Sequence, residues 1–345
     1  MWSPLEYLVS HLAQSTSIPL VRLNLILPFV KELDRRGCDA SAVLARNGLV
    51  RETLLDDSVF VPVIVIHRFL EDAALAAADP FLGAQVGEAL NWAAWPPSIE
   101  AAKESKNLVG FLVRFIRSAS QDASSAWHEL VVGPEFSVFR ERRTTDQGID
   151  PAQNDAFMAS VTLSLLRAAA GQVWDAQQVR LTVCDPEALP ARYLGTHILG
   201  GDRMGVSIRF PSSWLVQPFN RESFLQTTNL GRHGAELPKP FMAALEHVIL
   251  QHLHESRLSL EQVSNLLDMS PKTLQRRLKA AGTTLSDIIR ELKREEAIRQ
   301  LVQSRRAIGD ISYELGFSNP NSFTRAFKTW TGVPPREYRK QHRDF

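Results

Sequence analysis

Two stretches in the C-terminal third of the chain carry the same pattern of apolar and polar positions. Residues 270–279 align without a gap on residues 319–328. In each stretch a residue that can cap a helix is followed by proline, and this pair is a strong signal for the start of a helix. Apolar residues then recur four positions apart, so each stretch is predicted to form a short helix that buries one narrow stripe. The predicted stripes are Leu274 with Leu278 and Phe323 with Phe327.

The opposite faces of these two helices carry cationic and amide side chains. The first face presents Lys272, Gln275, Arg276 and Lys279, and the second presents Asn321, Ser322, Arg325 and Lys328. In the major groove of DNA, arginine pairs with guanine, and glutamine or asparagine pairs with adenine. The pattern therefore predicts two helices that read double-stranded DNA, and the alternative is that Arg276 and Arg325 are solvated arginines on ordinary helices.

A further helix is predicted ahead of each reading helix. Ser259 and Gln262 match a capping box, and Ile311 with Leu315 has helical spacing. A helix, a short turn and a second helix with a polar outer face form a helix-turn-helix, so the C-terminal domain is predicted to be all-α with two such units. Residues 286–304 between the units are predicted to form one helix of about 19 residues, roughly 28 Å long. This length approaches the roughly 34 Å between successive major-groove faces.

Residues ahead of about 220 mix helical and strand periods, which predicts an α+β domain. Helices are predicted from Pro62 to about Ala78, around Leu108 to Ile116 and from Asn154 to Ala170. Strands are predicted at Trp127–Val132, Phe136–Arg140, Val179–Val183 and Val206–Phe210, the first two as a hairpin. The polar stretch that follows, with its glycines and proline, has the composition of a linker.

The small net charge of +1 hides a division along the chain. Residues 237–345 hold 18 Lys and Arg against 12 Asp and Glu, a net charge of +6, whereas the remainder holds 21 against 26, a net charge of −5. A basic C-terminal third and an acidic remainder are expected when only one domain binds a polyphosphate such as DNA.

The two cysteines, Cys38 and Cys184, cannot build a disulfide framework, and no apolar run is long enough to span a membrane. A cytoplasmic protein without a membrane partner is expected.

The region from Phe241 to Tyr338 resembles the DNA-binding domain of the AraC/XylS family of bacterial transcription regulators. The resemblance covers both helix-turn-helix units, the connector, residues 308–317 and the closing run at 332–339. It implies base contacts from Lys272, Thr273, Gln275 and Arg276 in the first reading helix, and from Asn321, Ser322 and Arg325 in the second. It also implies contact with RNA polymerase and activation of transcription.

Residues 23–219 resemble the arabinose-binding-like effector domain of one branch of the same family. This resemblance implies a pocket for a small-molecule effector of unknown identity and a contact that forms a homodimer. The expected organisation is an effector-binding and dimerisation domain at 1–219, a linker at 220–240 and a DNA-binding domain at 241–345. Aromatic residues that could line the effector pocket are Trp92, Trp95, Phe111 and Phe115, which could instead pack as ordinary core.

The sequence contains no recognisable enzyme chemistry. Residues 200–205 lack the spacing and the lysine of a phosphate-binding loop, and neither cysteine has the setting of a nucleophile. His247, His252 and His254 lie near one another in sequence without matching carboxylates, so no metal or other cofactor is expected. An enzyme tethered to DNA is one alternative. A constitutive DNA-binding factor whose N-terminal domain serves only for dimerisation is another.

Overall fold

The computed structural model describes two units of the chain, which are treated separately. The described residues are 18–90, 95, 97–98, 101, 105–191, 193–217, 241–256, 258–267 and 269–342. The division falls between Lys239 and Pro240. The predicted linker at 220–240 and Trp92 lie outside the described residues.

The N-terminal unit combines six α-helices and seven strands within its described part. The helices are α1 (Leu27–Arg35), α2 (Ala40–Arg46), α3 (Val63–Ala76), α4 (Leu82–Glu88), α5 (Leu108–Ala119) and α6 (Ala152–Ala170). The strands are β1 (Leu20–Arg22), β2 (Phe60–Pro62), β3 (Ala126–Val132), β4 (Phe136–Arg143), β5 (Arg180–Val183), β6 (His197–Gly200) and β7 (Gly205–Pro211). Each predicted helix and strand is present, with ends shifted by a few residues.

The strands form one large sheet and one small one. The five-stranded sheet has the order β3-β4-β7-β5-β6, in which β5 and β6 are parallel and the other pairs are antiparallel. Strands β1 and β2 form a separate antiparallel pair. Since β3 and β4 are joined by a tight turn at Gly133-Pro134, the predicted hairpin is confirmed.

Helix α6 is the central helix of this unit and packs against α3, α4, β5 and β7. Its span Ala152–Val173 is apolar and long enough to cross a membrane, but 67% of the most apolar 18-residue stretch within it is buried in the protein, as in a core helix. Helix α4 lies against it at Gly83 and Gly87, where a β-carbon would clash with the backbone of Gln153 and Phe157. The two glycines therefore permit this close helix contact.

The inner face of β4 brings charged residues into the core. Ser137, Phe139, Glu141 and Arg143 are buried in alternation along the strand, as the two-residue period requires. The strand runs three residues beyond its predicted end at Arg140, and these residues include both buried charges.

The C-terminal unit is helical throughout its described part. Its helices are α7 (Phe241–Gln251), α8 (Leu260–Leu266), α9 (Pro271–Ala280), α10 (Leu285–Gln303), α11 (Ile308–Glu314), α12 (Pro320–Thr331) and α13 (Pro335–His342). Helix α8 packs against α9, and α11 packs against α12. The predicted fold class, an α+β domain followed by an all-α domain with two helix-turn-helix units, is confirmed.

Candidate nucleic-acid interface and buried cavity

Both reading helices begin as their sequences predict. The Ser270 hydroxyl accepts a hydrogen bond from the Thr273 amide at 3.1 Å, and the Asn319 side chain accepts one from the Ser322 amide at 2.9 Å. Proline occupies the first turn of each helix, where no backbone donor is needed. The caps fix the start of each helix and therefore which side chains share its outer face. The stripes Leu274 with Leu278 and Phe323 with Phe327 are buried, as predicted.

The outer faces of α9 and α12 consist of side chains without intramolecular partners. Within the described part of the chain, no hydrogen bond or ion pair engages the side chains of Lys272, Gln275, Arg276, Asn321, Ser322 and Arg325. All of these are exposed except Ser322, which is half-buried. Thr273 differs from them, because its hydroxyl lies 2.9 Å from that of Ser270 and supports the cap.

Several other arginines of the C-terminal unit have intramolecular partners. On α10, Arg290, Arg294 and Arg299 each form an ion pair with a carboxylate three residues earlier. Arg277 on α9 places its guanidinium 4.9 Å from the centre of the Phe241 ring. Burial lowers the pKa of Arg277, and the charge of Arg276 lowers it further. Unpaired cations on the two reading helices can neutralise phosphates without first breaking an ion pair.

The two helix-turn-helix units differ in their turns. Four residues, 267–270, separate α8 from α9, whereas five residues, 315–319, separate α11 from α12. The longer turn contains Gly316 at φ 71°, a left-handed conformation that glycine adopts without strain. The ungapped match therefore applies to the reading helices but does not extend back through the turns.

The connector α10 is one uninterrupted helix of 19 residues, as predicted. It packs against α7, α11, α12 and α13. The Lys293 ammonium lies 5.1 Å from the centre of the Phe317 ring, and Arg339 donates to the Leu301 carbonyl at 3.3 Å. These contacts hold the connector against the second helix-turn-helix unit.

The N-terminal unit contains a cavity of about 100 Å³ between its helices and the β3–β4 hairpin. Most of its wall is apolar. The largest apolar contributors are Phe29, Ile66, Leu70, Trp95, Phe115 and Phe157. Trp95 stacks on Phe115 with ring centres 6.1 Å apart and meets the edge of Phe157 at 5.8 Å.

Four polar residues of the cavity wall come from α3, β3 and β4. These are His67, His128, Glu141 and Arg143, and all are buried or nearly so. Asp122, Ser125 and Asn154 are the other polar residues of the wall. His128 Nε2 is 3.4 Å from a Glu141 carboxylate oxygen. Burial alone would raise the pKa of Glu141, but the contact with His128 and the charge of Arg143 hold it below its ordinary value. Burial lowers the pKa of His67 to about 3, so this imidazole is neutral at physiological pH.

Arg143 is already paired with another carboxylate. It forms an ion pair with the buried Asp155 and donates to the Arg203 carbonyl at 2.8 Å. Burial would lower the pKa of Arg143, but the carboxylates of Asp155 and Glu141 raise it, so the guanidinium stays charged. The second Asp155 oxygen accepts from the Cys184 backbone amide at 3.0 Å. Burial raises the pKa of Asp155, and Arg143 and this hydrogen bond oppose that rise.

Of the aromatic residues predicted to line the effector pocket, some line the cavity and one does not. Trp95 and Phe115 lie on the cavity wall. Phe111 is fully buried and stacks behind Phe115, with ring centres 6.1 Å apart, without lining the cavity. The polar residues of the wall were missed by sequence reasoning. The continued alternation of Phe139, Glu141 and Arg143 along a strand is the signal that could have found two of them.

The histidines near the start of the C-terminal unit have local partners. His247 Nε2 lies 2.8 Å from Gln251, and His252 Nδ1 lies 2.9 Å from Glu255. His252 stacks on His254 with ring centres 6.3 Å apart. Across the described residues, no three His, Cys, Asp or Glu side chains are grouped so that they could hold a metal ion.

Comparison with known proteins finds a family match in each unit. Residues 263–341 match a family of helix-turn-helix domains. Residues 37–219, more than half of the chain, match the arabinose-binding N-terminal domain of AraC transcription regulators. The family of the second match consists of transcription regulators and not enzymes.

Individual relatives match over shorter lengths. The HTH-type transcriptional regulator VirS of Mycobacterium tuberculosis is 38% identical over 87 residues, which is 25% of this chain and 26% of VirS. The transcriptional activator NphR of a Rhodococcus species is 28% identical over 140 residues, 40% of this chain and 41% of NphR. The chain thus spans less than half the length of either relative.

Among solved structures, the transcriptional regulator CdpR of Pseudomonas aeruginosa aligns over 87% of this chain and 96% of its own, at 16% identity and a TM-score of 0.38. The family match over more than half of the chain and the two helix-turn-helix units agree with each other. The chain therefore belongs to the AraC family of transcription regulators, as a DNA-binding member with an arabinose-binding-like N-terminal domain.

Proposed function

We propose that the protein is a ligand-responsive transcription activator that reads two adjacent major-groove segments of a promoter. The observation that carries the DNA-reading part is the set of unpaired, exposed cations and amides on α9 and α12. Base reading is assigned to Lys272, Thr273, Gln275, Arg276, Asn321, Ser322 and Arg325. Among these, Thr273 has the weakest support because its hydroxyl is engaged in the cap.

Arg276 and Arg325 give the sharpest test of this assignment. Each substitution to alanine is expected to cost about 1–3 kcal/mol of specific binding, because a bidentate arginine contact with guanine is lost. The measurement is a mobility-shift titration on a promoter fragment selected by the wild-type protein. Arg299→Ala on α10 is the matched control, since Arg299 is paired with Glu296. If both reading-helix variants bind like wild type, the assignment is wrong.

The cavity in the N-terminal unit supports ligand sensing. It is bounded by both apolar and polar groups, as small-molecule sites are. An effector that binds one arrangement of the protein more tightly than another would bias promoter occupancy. The name of NphR as a transcriptional activator supports activation, and contact with RNA polymerase is part of the proposal.

Dimerisation through the N-terminal unit completes the proposal. Two subunits would bring four reading helices to one promoter, and the second subunit would bind at a high effective concentration. A constitutive DNA-binding factor that only dimerises is the alternative. A change in promoter occupancy on adding a compound that also raises the melting temperature of the protein would support sensing. Occupancy that ignores every compound able to stabilise the protein would favour the alternative.

A further inference from the structure

The cavity of the N-terminal unit has a chemical character that narrows its ligand. His67, His128, Glu141 and Arg143 form its main polar wall, Asp122, Ser125 and Asn154 add further polar groups, and apolar residues line most of the remainder. We propose that the cavity binds a small organic amine, whose ammonium group pairs with Glu141 and whose apolar body lies against Trp95 and Phe115. This inference rests on the proposed function, because it takes the cavity as the sensing site.

The buried carboxylate of Glu141 is the reason to expect an ammonium group on the ligand. Its side chain is only 9% exposed, and its one side-chain contact among the described residues is His128 Nε2 at 3.4 Å, longer than a good hydrogen bond. A buried carboxylate that lacks donors is costly, and it gains most from a cation that supplies several of them. An ammonium group offers both a positive charge and up to three donors.

Of the two carboxylates on the wall, Glu141 has no arginine within ion-pair distance among the described residues. Arg143 is paired with Asp155, and Arg22 is paired with Asp122 at 2.8 Å on another part of the wall. His67 Nδ1, His128 Nε2 and Arg143 Nε have no hydrogen-bond partner among the described residues. The charge of Arg143 lowers the pKa of Glu141, but its ion pair is with Asp155. A ligand ammonium group can supply the direct contact that Glu141 lacks, whereas a ligand carboxylate would lie beside a like charge.

The same wall disfavours a sugar, in spite of the arabinose-binding character of the matched family. A pentose carries hydroxyl groups around its whole ring, and all of them need hydrogen-bond partners when buried. Here Asp122, Ser125 and Asn154 add to the four polar residues named above, but apolar residues such as Phe29, Ile66 and Leu70 form most of the wall. A ligand with few polar groups and an apolar body suits this distribution.

The size of the cavity limits the apolar body. Its volume of about 100 Å³ is smaller than the roughly 150 Å³ of a cavity that accepts benzene. A body of about four to five carbon atoms, fewer than the six of benzene, is therefore expected. This size defines a set of probes with one shared body: n-pentylamine, 1-pentanol and pentanoate, with L-arabinose as the polyhydroxyl comparison.

The test is calorimetric and thermal titration of the full-length protein with these four probes. At saturating concentration n-pentylamine is expected to raise the melting temperature of the N-terminal unit by about 2–4 °C. Pentanoate and arabinose are expected to leave it unchanged, and 1-pentanol is expected to bind more weakly than the amine. Equal or tighter binding of the alcohol, the carboxylate or the sugar would overturn the proposal, as would binding of none of the four.

Variants separate binding at this site from adventitious binding. Glu141→Gln is expected to weaken n-pentylamine by about tenfold or more, because the charge is lost with little change in shape. Glu129→Gln is the matched control, since Glu129 on β3 pairs with the partly exposed Arg140 and does not line the cavity. Unchanged affinity in a folded Glu141→Gln protein would overturn the proposal.

A second substitution keeps the test decisive should Glu141→Gln fail to fold. Ala126 lines the cavity, so Ala126→Leu is expected to fill it and abolish the response to the amine, whereas Ala42→Leu on the exposed side of α2 is expected to retain that response. An amine that still binds the Ala126→Leu protein contradicts the proposed site.

Promoter binding measured in parallel tests the proposed function separately from the proposed ligand. Glu141-dependent amine binding with unchanged promoter occupancy would support this site while contradicting ligand sensing.

Discussion

Individual arginines of the C-terminal unit differ in what surrounds them. Arg276 and Arg325 lie on the reading helices without an ion-pair partner among the described residues, whereas Arg290, Arg294 and Arg299 on the connector are each paired one turn back. Exposed pairs of this kind contribute little to stability, but they neutralise charge locally. The arginines of the connector are therefore neutralised locally, whereas Arg276 and Arg325 keep their charge available for a phosphate or a base.

Two titratable residues on α3 affect stability in opposite directions. Burial lowers the pKa of His67 from 6.5 to about 3, so the unfolded chain binds the extra proton between these values and stability falls as the pH drops through them. Burial, with help from nearby aspartates, raises the pKa of Glu71 from 4.5 to about 7. For Glu71 the folded state binds the extra proton, so stability rises as the pH drops from about 7 to 4.5.

Glu71→Gln is predicted to make the protein lose stability as the pH drops from 7 to 5, because the effect of His67 is then no longer offset. Between pH 7 and pH 5 the His67 contribution falls by about 2 kcal/mol, and in the wild type Glu71 offsets much of it. The variant should therefore lose about 2 kcal/mol of unfolding free energy over this interval, measured by urea denaturation of the N-terminal unit within the full chain. The Gln153 amide, 2.8 Å from the Glu71 carboxylate, can still donate to a glutamine oxygen.

The exposed Glu52 gives the control for this prediction. Glu52→Gln should follow the wild-type profile. A Glu71→Gln profile parallel to that of the wild type would contradict the assignment of opposing contributions.

At the scale of secondary-structure elements, the turn between α11 and α12 depends on one glycine. A β-carbon on Gly316 would lie 2.8 Å from the Leu253 carbonyl oxygen and closer still to that of Glu255. Gly282, which follows α9, has almost the same φ, 72° against 71°, but a β-carbon there would meet nothing within 4 Å. Comparing alanine substitutions at Gly316 and Gly282 therefore separates the free-energy cost of the left-handed conformation from that of the steric clash.

Gly316→Ala is predicted to destabilise the C-terminal unit by about 3 kcal/mol or more, since both strain and backbone overlap must be relieved. Gly282→Ala should cost about 1 kcal/mol, from the left-handed conformation alone. Urea denaturation followed by a probe of the C-terminal unit measures both. Equal losses in the two variants would show that the close approach at Gly316 has no energetic consequence.

The sequence predicted most elements whose signals are local. Caps, prolines and four-residue spacing gave α9, α10 and α12 within a few residues of their observed ends. Helix α4 was not predicted, because Gly83 and Gly87 lower its helix propensity and their reason lies in the contact with α6. Strands β1 and β2, three residues each, are too short to produce a periodic signal and depend on pairing with each other.

At the scale of the whole molecule, the proposed function requires a fixed distance between the two reading helices. The connector α10 is continuous and packs against α11, α12 and α13, so the second reader cannot move freely on a tether. A rigid connector makes promoter binding sensitive to the spacing of the two segments, unlike a flexible linker.

Inserting about 5 bp between the two segments of a selected promoter site is predicted to weaken binding by about tenfold or more, because the second segment turns to the opposite face of the DNA. Inserting about 10 bp restores the face but exceeds the reach of the connector, so affinity should stay low. The same insertions placed outside the two segments are the controls. Recovery of affinity at 10 bp, measured by mobility shift, would contradict a fixed spacing.

The sequence by itself determined the duplicated reading helices, their caps and buried stripes, and the order of an α+β and an all-α domain. These features depend on contacts within about four residues or on the period of a single element, which one stretch of sequence contains. The cavity and its charge balance were decided by tertiary structure. His67, His128 and Glu141 come from three elements, and Arg143 pairs with Asp155, so Glu141 keeps only its contact with His128. Such a balance depends on which distant side chains meet in three dimensions, and no local pattern specifies it.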